Sequence, residues 1–266
     1  MFRSLIVPLD GSERAEQALP VATSLAARTQ CRIILLCARE SAELTDPAGY
    51  LDAVALAWGI PDSAPVVIHD RPAPSAILYA AEQHPDALIC MTTRGRGAVS
   101  TAVLGSVADH VVRHSPVPVL SVGPASSDEG WYPGPIVVGV APEIEADRSI
   151  TLAGEIAGAL DVPVWLVQVH APGPTPRYAN SVESGPLEHA AQPLIDAGCK
   201  VGWDVLHATD AADALVQFAA DKQASILAVT TRARHGVAGL ALGSVTRHLV
   251  HDATCPVLIV RAATSE

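Results

Sequence analysis

Two stretches of this 266-residue chain carry residue types suited to holding an anionic small molecule. The first is Val7-Pro8-Leu9-Asp10-Gly11-Ser12, where an apolar run ends in a carboxylate. An Asp at such a place can accept hydrogen bonds from a ribose hydroxyl or a base amino group. It can equally cap the helix that follows, helped by Glu13 three residues on. The second stretch runs from Met91-Thr92-Thr93-Arg94-Gly95-Arg96-Gly97 to Gly105-Ser106-Val107. Glycine lets backbone approach an anion closely, and Ser106 reads as a helix start whose first N–H groups are free. Arg94 and Arg96 add positive charge. The stretch reads as a phosphate cradle or, taken alone, as a tight turn with a Ser cap. It is neither a Walker pattern nor a dinucleotide Gly-x-Gly-x-x-Gly, because Ala98-Val99-Ser100 follows Gly97.

Other reactive side chains read as structural. His110 and His114 are four apart on one expected helix, and His248 and His251 three apart on another, spacings that can bring two imidazoles to one metal. The duplicated segments do not keep the pair, since Arg113 and His114 correspond to His251 and Asp252, so solvated or packing roles are expected. The five cysteines form no Cys-x-x-Cys and read as reduced core thiols. No Gly-x-Ser-x-Gly elbow occurs, and no base is placed for efficient phosphoryl transfer. The chain is not expected to be an enzyme beyond, at most, slow ATP hydrolysis.

The elements that must position these residues are written twice. Leu104-Gly105-Ser106-Val107 recurs as Leu242-Gly243-Ser244-Val245, 138 residues later, and Thr92-Thr93-Arg94 and Pro118-Val119-Leu120 recur at the same offset. Between the copies, Gly123 to Pro135 is linker-like, rich in Gly, Pro, Ser and acid. The expected division is residues 1–123, a linker over 124–134, and residues 135–262. In the first copy Leu5–Leu9, Ile33–Ala38, Val66–His69, Ala87–Met91 and Val117–Val122 are continuous apolar runs, as strands covered on both faces look. Glu13–Thr29, Ser75–His84 and Ser106–His114 have helical spacing, and Asp52–Trp58 is a weaker candidate. The second copy repeats the strands near Ile136–Val140, Val164–His170, Trp203–His207, Ser225–Val229 and Val257–Val260. This alternation predicts α/β architecture: two tandem doubly wound domains, each a five-stranded parallel sheet with helices on both faces.

Composition narrows the partners. A net charge of −11, with 15 Arg, 2 Lys and no basic run, argues against nucleic-acid binding. No apolar stretch approaches the ~20 residues of a membrane span, and Met1-Phe2-Arg3-Ser4 leads directly into an apolar strand with no room for a signal peptide. A soluble, cytoplasmic protein is expected.

Taken together, Asp10 and the glycine-rich stretch resemble the universal stress protein family in a tandem two-domain form, over nearly the whole chain. Its ATP-binding members carry Gly-x2-Gly-x9-Gly-[Ser/Thr] after the fourth strand and an Asp after the first. Gly95, Gly105 and Ser106 match that pattern, as do Pro8 and Asp10, whereas Thr92 stands at the first glycine position. The resemblance implies a Rossmann-like fold of the adenine nucleotide alpha hydrolase type and ATP as ligand, with Mg2+ as a possible companion. It implies that Asp10 contacts the adenosine part, that Ala38 lies near adenine, and that Gly95, Gly105 and Ser106 hold phosphates. Thr92 adds a Cβ where backbone should pass close to the ligand, with reduced affinity or altered geometry as the consequence. Pro-Val-Pro-Val-Leu at the fifth strand looks like the family's dimerising edge, so an intrachain pseudo-dimer is expected; a homodimer and a protein partner are further candidates. In the second copy Ala141 replaces Asp10, while Thr230 and Ala233 replace the early glycines, so weak or no nucleotide binding is expected there. The resulting expectation is an ATP-binding stress-response or regulatory protein. The alternative is an interaction scaffold of the same fold whose clefts are vestigial.

Overall fold

The computed structural model describes residues 1–38, 44–60, 66–68, 71–93, 104–126, 134–141, 148–172, 184–231 and 243–262. Strands β1 (Ser4–Leu9), β2 (Arg32–Ala38), β3 (Val66–Ile68), β4 (Ala87–Thr92) and β5 (Val119–Val122) form the first half. Between them run α1 (Glu13–Glu16), α2 (Leu19–Thr29), α3 (Pro47–Ala57), α4 (Ala73–Gln83) and α5 (Ser106–His114). The second half repeats the pattern with β6 (Ile136–Gly139), β7 (Val164–His170), β8 (Val201–His207), β9 (Ile226–Thr231) and β10 (Val257–Arg261). Its helices are α6 (Arg148–Leu160), α7 (Gly185–Asp196), α8 (Ala211–Asp221) and α9 (Ser244–Asp252). No described helix is long and apolar enough to cross a membrane.

Each half is a doubly wound parallel sheet, and the two merge into one ten-stranded sheet of order β3-β2-β1-β4-β5-β10-β9-β6-β7-β8. The join is antiparallel, with Val119 opposite Ile259, Leu120 opposite Leu258 and Ser121 opposite Val257. The edge strand carrying Pro-Val-Pro-Val-Leu therefore pairs with its own duplicate, so the halves associate within the chain. Burial follows the two-residue strand period. Leu5, Val7, Leu35, Leu120, Leu166 and Leu258 line the core under α1, α2, α3, α6 and α7. Ile6, Ile34, Val119, Val137, Leu227 and Ile259 line the opposite core, under α4, α5, α8 and α9. Both cores continue across the β5–β10 join, where Ser121 is a buried polar residue. Further contacts bridge the halves, among them α2 packing on α6, the Met1 ammonium 2.7 Å from Glu155 Oε2, and Arg261 Nη1 donating to the Ser115 carbonyl at 3.3 Å.

Element boundaries depart from the periodicity where proline acts. The helical pattern over Glu13–Thr29 is two helices, because Pro20 lies in the first turn of α2. A proline there offers no N–H to Glu16 and crowds its carbonyl, so α1 stops and the chain restarts at Leu19. Helix α3 begins at Pro47, five residues before the expected Asp52, since the Asp46 side chain accepts the Gly49 N–H at 3.0 Å and caps it. Helix α4 likewise begins two residues early, at Ala73.

Gly134 leads into β6 where the backbone passes the turn between α8 and β9. A Cβ there would collide with the Gln223 carbonyl and come within 3.3 Å of Ala224 Cα. Gly134→Ala is expected to lower stability by about 1–3 kcal/mol, because backbone rather than a flexible side chain must give way. A lower urea midpoint with an unchanged m-value would show it.

Candidate functional site

In each half the strand order reverses beside the first strand, between β1 and β4 and between β6 and β9. Such reversals open a crevice at the carboxyl ends of the strands. The two crevices differ. β1 pairs with β4 only through Ser4–Ala87, Leu5–Leu88 and Ile6–Ile89, while its pairing with β2 continues to Leu9–Cys37. Pro8 has no N–H to give β4, so the strands part before it. In the second half, pairing of β6 with β9 runs from Ile136–Ile226 to Gly139–Val229. With Asp10 matched to Ala141, that ladder runs two residue pairs further toward the carboxyl ends, so β1 and β4 part sooner than β6 and β9.

Asp10 stands at its lip, half-buried, directly after β1. Its Oδ1 accepts the Ser12 N–H at 3.0 Å and the Ser12 hydroxyl at 2.6 Å. Gly11 between them has φ +80°, a left-handed conformation that glycine adopts without strain. Ser12, not Asp10, is the N-cap of α1, its Oγ accepting the Ala15 N–H at 3.2 Å. The alternative in which Asp10 caps the helix therefore gives way: Asp10 braces the turn from which Ser12 caps.

The opposite lip is built from β4 and α5. Thr93, buried, donates its N–H to the Val122 carbonyl at 3.1 Å, and its own carbonyl accepts the Gly105 N–H at 2.8 Å. That bond closes the base of the glycine-rich loop. Helix α5 then starts with no side-chain cap, Gly105 having φ −60° and ψ 147°. Ser106 is exposed, and Val107 and Thr92 are half-buried. An uncapped helix start presents N–H groups and the positive end of the helix dipole, the arrangement that favours an anion. Asp109 in the same turn is engaged with Arg113 Nη2 at 2.8 Å. Pro8 is half-buried within β1, and Ala38 ends β2 with partial exposure. Met91 places its side chain in the core beneath α4 and α5, so only its backbone can face the crevice. Arg94, Gly95, Arg96 and Ala233 lie outside the described residues.

The second half keeps the helix start and lacks the carboxylate. Gly243 precedes α9 with φ −56° and ψ 148°, close to the Gly105 geometry, and α9 too has no side-chain cap. Ala141 follows β6 where Asp10 follows β1. His110 and His114 stack with ring centroids 4.3 Å apart. His248 Nε2 lies 2.9 Å from Asp213 and 3.2 Å from Asp252, and His251 lies 2.7 Å from Asp252. Sequence reading missed the Tyr50 hydroxyl bonded to Glu16 at 2.7 Å, a contact between residues 34 apart that no local pattern signals.

All five cysteines are free, and Cys37, Cys90 and Cys255 are buried. Burial pushes the Cys90 and Cys255 thiols up to about 12. At pH 8 neither forms the nucleophilic thiolate, so iodoacetamide is expected to leave both unmodified in the folded protein and to label them in urea. Peptide mass mapping reads the difference.

A twice-repeated doubly wound sheet with an uncapped helix start at each strand-order reversal defines a tandem doubly wound α/β architecture. The sequence profile of the Universal stress protein family matches residues 38–123 and 134–261, and the chain belongs to that family. A universal stress protein of Mycobacterium tuberculosis is 31% identical over 193 residues, covering 66% of this chain. The chain in turn spans 59% of that relative's length. Among solved structures, a universal stress protein from Archaeoglobus fulgidus aligns over 99% of this chain and 100% of its own, with TM-score 0.76 and 20% identity. A shorter one from Archaeoglobus fulgidus, solved in complex with dAMP, covers 48% of this chain and 97% of its own at 25% identity, with TM-score 0.40.

Proposed function

We propose that the first half binds an adenine nucleotide, with ATP the leading ligand and Mg2+ accompanying its phosphates, while the second half serves as its permanent structural partner. The observation that carries this reading is the asymmetry of the crevices. Among the described residues, only the first half combines an early-parted first strand, a carboxylate on one lip and an uncapped helix start on the other. Asp10 suits ribose hydroxyls or a base amino group, and the α5 start suits phosphate oxygens. In an acidic protein the phosphates must be held locally, by backbone N–H groups and the loop arginines, since the overall field repels them.

ATP acts in this reading as a conformational ligand rather than a substrate. By binding at the α5 start, beside the Thr93–Gly105 bond, it changes the surface offered to a protein partner. Thr92 at the end of β4 favours a second reading, a nucleotide-free interaction scaffold. Mass spectrometry of the supernatant after denaturing purified protein, together with thermal melting in millimolar Mg-ATP, separates the two. Released ATP or a raised Tm supports the first reading. An empty supernatant with no shift leaves the scaffold.

A further inference from the structure

Tyr50 lies in the first turn of α3, and its hydroxyl donates a 2.7 Å hydrogen bond to Glu16 Oε1 on α1. Helix α1 follows the carboxyl end of β1 and α3 follows that of β2, so the bond ties the end of the short α1 to the first turn of α3, at the sheet edge where β1 and β2 end in Asp10 and Ala38. Both helices cover the same face, because β1, β2 and β3 are laid down in one direction across the sheet. The ring is half-buried and packs on the core that includes Cys37 and Leu51. Burial first, and then the Glu16 carboxylate, hold the phenol well above its usual range, with Asp10 and Cys37 adding to the effect. The hydroxyl therefore remains a donor at physiological pH, and Asp10 is close enough to act on it. The corresponding helix of the second half, α7, reads Gly-Pro-Leu-Glu-His-Ala-Ala-Gln-Pro-Leu-Ile-Asp, without a Phe, Tyr or Trp. The aromatic ring and the carboxylate thus occur together, in the half whose strands part sooner.

We propose that Tyr50, held in place by Glu16, is the base-side wall of the first crevice and covers the nucleoside base next to Asp10 and Ala38. This inference rests on the nucleotide reading above and adds to it: it assigns recognition of the base to a residue from α3, outside both glycine loop and β1 lip. The ring supplies a flat apolar face for a heterocycle, and Glu16 acts as a positioning residue by fixing the ring's orientation.

Calorimetric titration of adenosine and of ATP into the full chain tests it. Tyr50→Ala and Tyr50→Leu are expected to weaken both ligands by the same factor, about tenfold, as loss of one base–aromatic contact predicts. Tyr50→Leu preserves apolar packing, so equal loss in the two variants with an unchanged ligand-free Tm identifies the ring face rather than folding. Tyr50→Phe and Glu16→Ala are expected to weaken both ligands about threefold, through loss of the single anchoring hydrogen bond. Glu16→Gln, which retains an acceptor, is expected to rescue. If the wild-type chain binds neither adenosine nor ATP, the nucleotide reading falls and this assignment with it. If the wild type binds and Tyr50→Leu binds equally well, the nucleotide reading stands and the wall is overturned. A loss confined to ATP overturns it as well, because it would place Tyr50 at the phosphates.

Discussion

Asp10→Ala is expected to cut the thermal stabilisation that Mg-ATP confers on the wild-type chain to half or less. A ligand present at 100 times its Kd stabilises the folded state by about 2.7 kcal/mol, which for a chain of this size corresponds to roughly 5–10 °C in Tm. Removing a charge-assisted hydrogen bond costs about 1.5–3 kcal/mol, a ten- to hundredfold loss in affinity that cuts the stabilisation to about 1.4–0.4 kcal/mol. Asp10 also accepts the Ser12 N–H and hydroxyl, so the alanine variant loosens the α1 turn in addition. Asp10→Asn separates the two effects: its amide oxygen can still brace Ser12, but the negative charge is gone. A ligand-free Tm close to wild type with the ATP shift cut to half or less is the expected outcome for Asn. Gly105→Val is expected to abolish the shift from the other lip, by adding a branched side chain where the α5 start meets the ligand. Ser244→Ala, at the corresponding helix start of the second half, is expected to leave the shift intact. Equal sensitivity to Ser244→Ala would overturn the assignment of binding to the first half.

Leu258→Ala is expected to destabilise the whole chain, not the second half alone. Leu258 is fully buried on β10 directly opposite Leu120 on β5, within the core that continues from one half into the other. Truncating a fully buried leucine costs about 2–5 kcal/mol, through lost transfer free energy and the cavity left behind. Autonomous halves would confine that cost to the second half. Here one sheet and two through-running cores bind the halves, so calorimetry should show a single transition moved down by roughly 5–15 °C. Hydrogen exchange should lose protection in β1 and β4 as well as in β9 and β10. Retained first-half protection would show that the halves unfold independently.

The elements legible before any coordinates were those whose signal is local. Apolar runs marked all ten strands to within about two residues at each end, and Gly105-Ser106 and Gly243-Ser244 marked the starts of α5 and α9. Pro20 shows the limit of periodicity: the apolar spacing continues through it, yet the missing N–H divides the helix. Asp10 shows another. Its position after β1 was legible, but two bonds to Ser12 decide that it braces the turn while Ser12 caps.

Duplication, parallel architecture and family membership are all inscribed in the linear order of residues. A fixed offset between copies, a hydrophobic period and the loop residues at strand exits are properties of neighbours along the chain. The merging of β5 with β10, the earlier parting of β1 from β4 and the Tyr50–Glu16 link are not. Each depends on which residues face one another after folding, across separations from 34 to well over 100 positions. Pro8 joins the two levels. Its lack of an N–H is visible in the sequence, but only its place between β1 and β4 turns that lack into an opening.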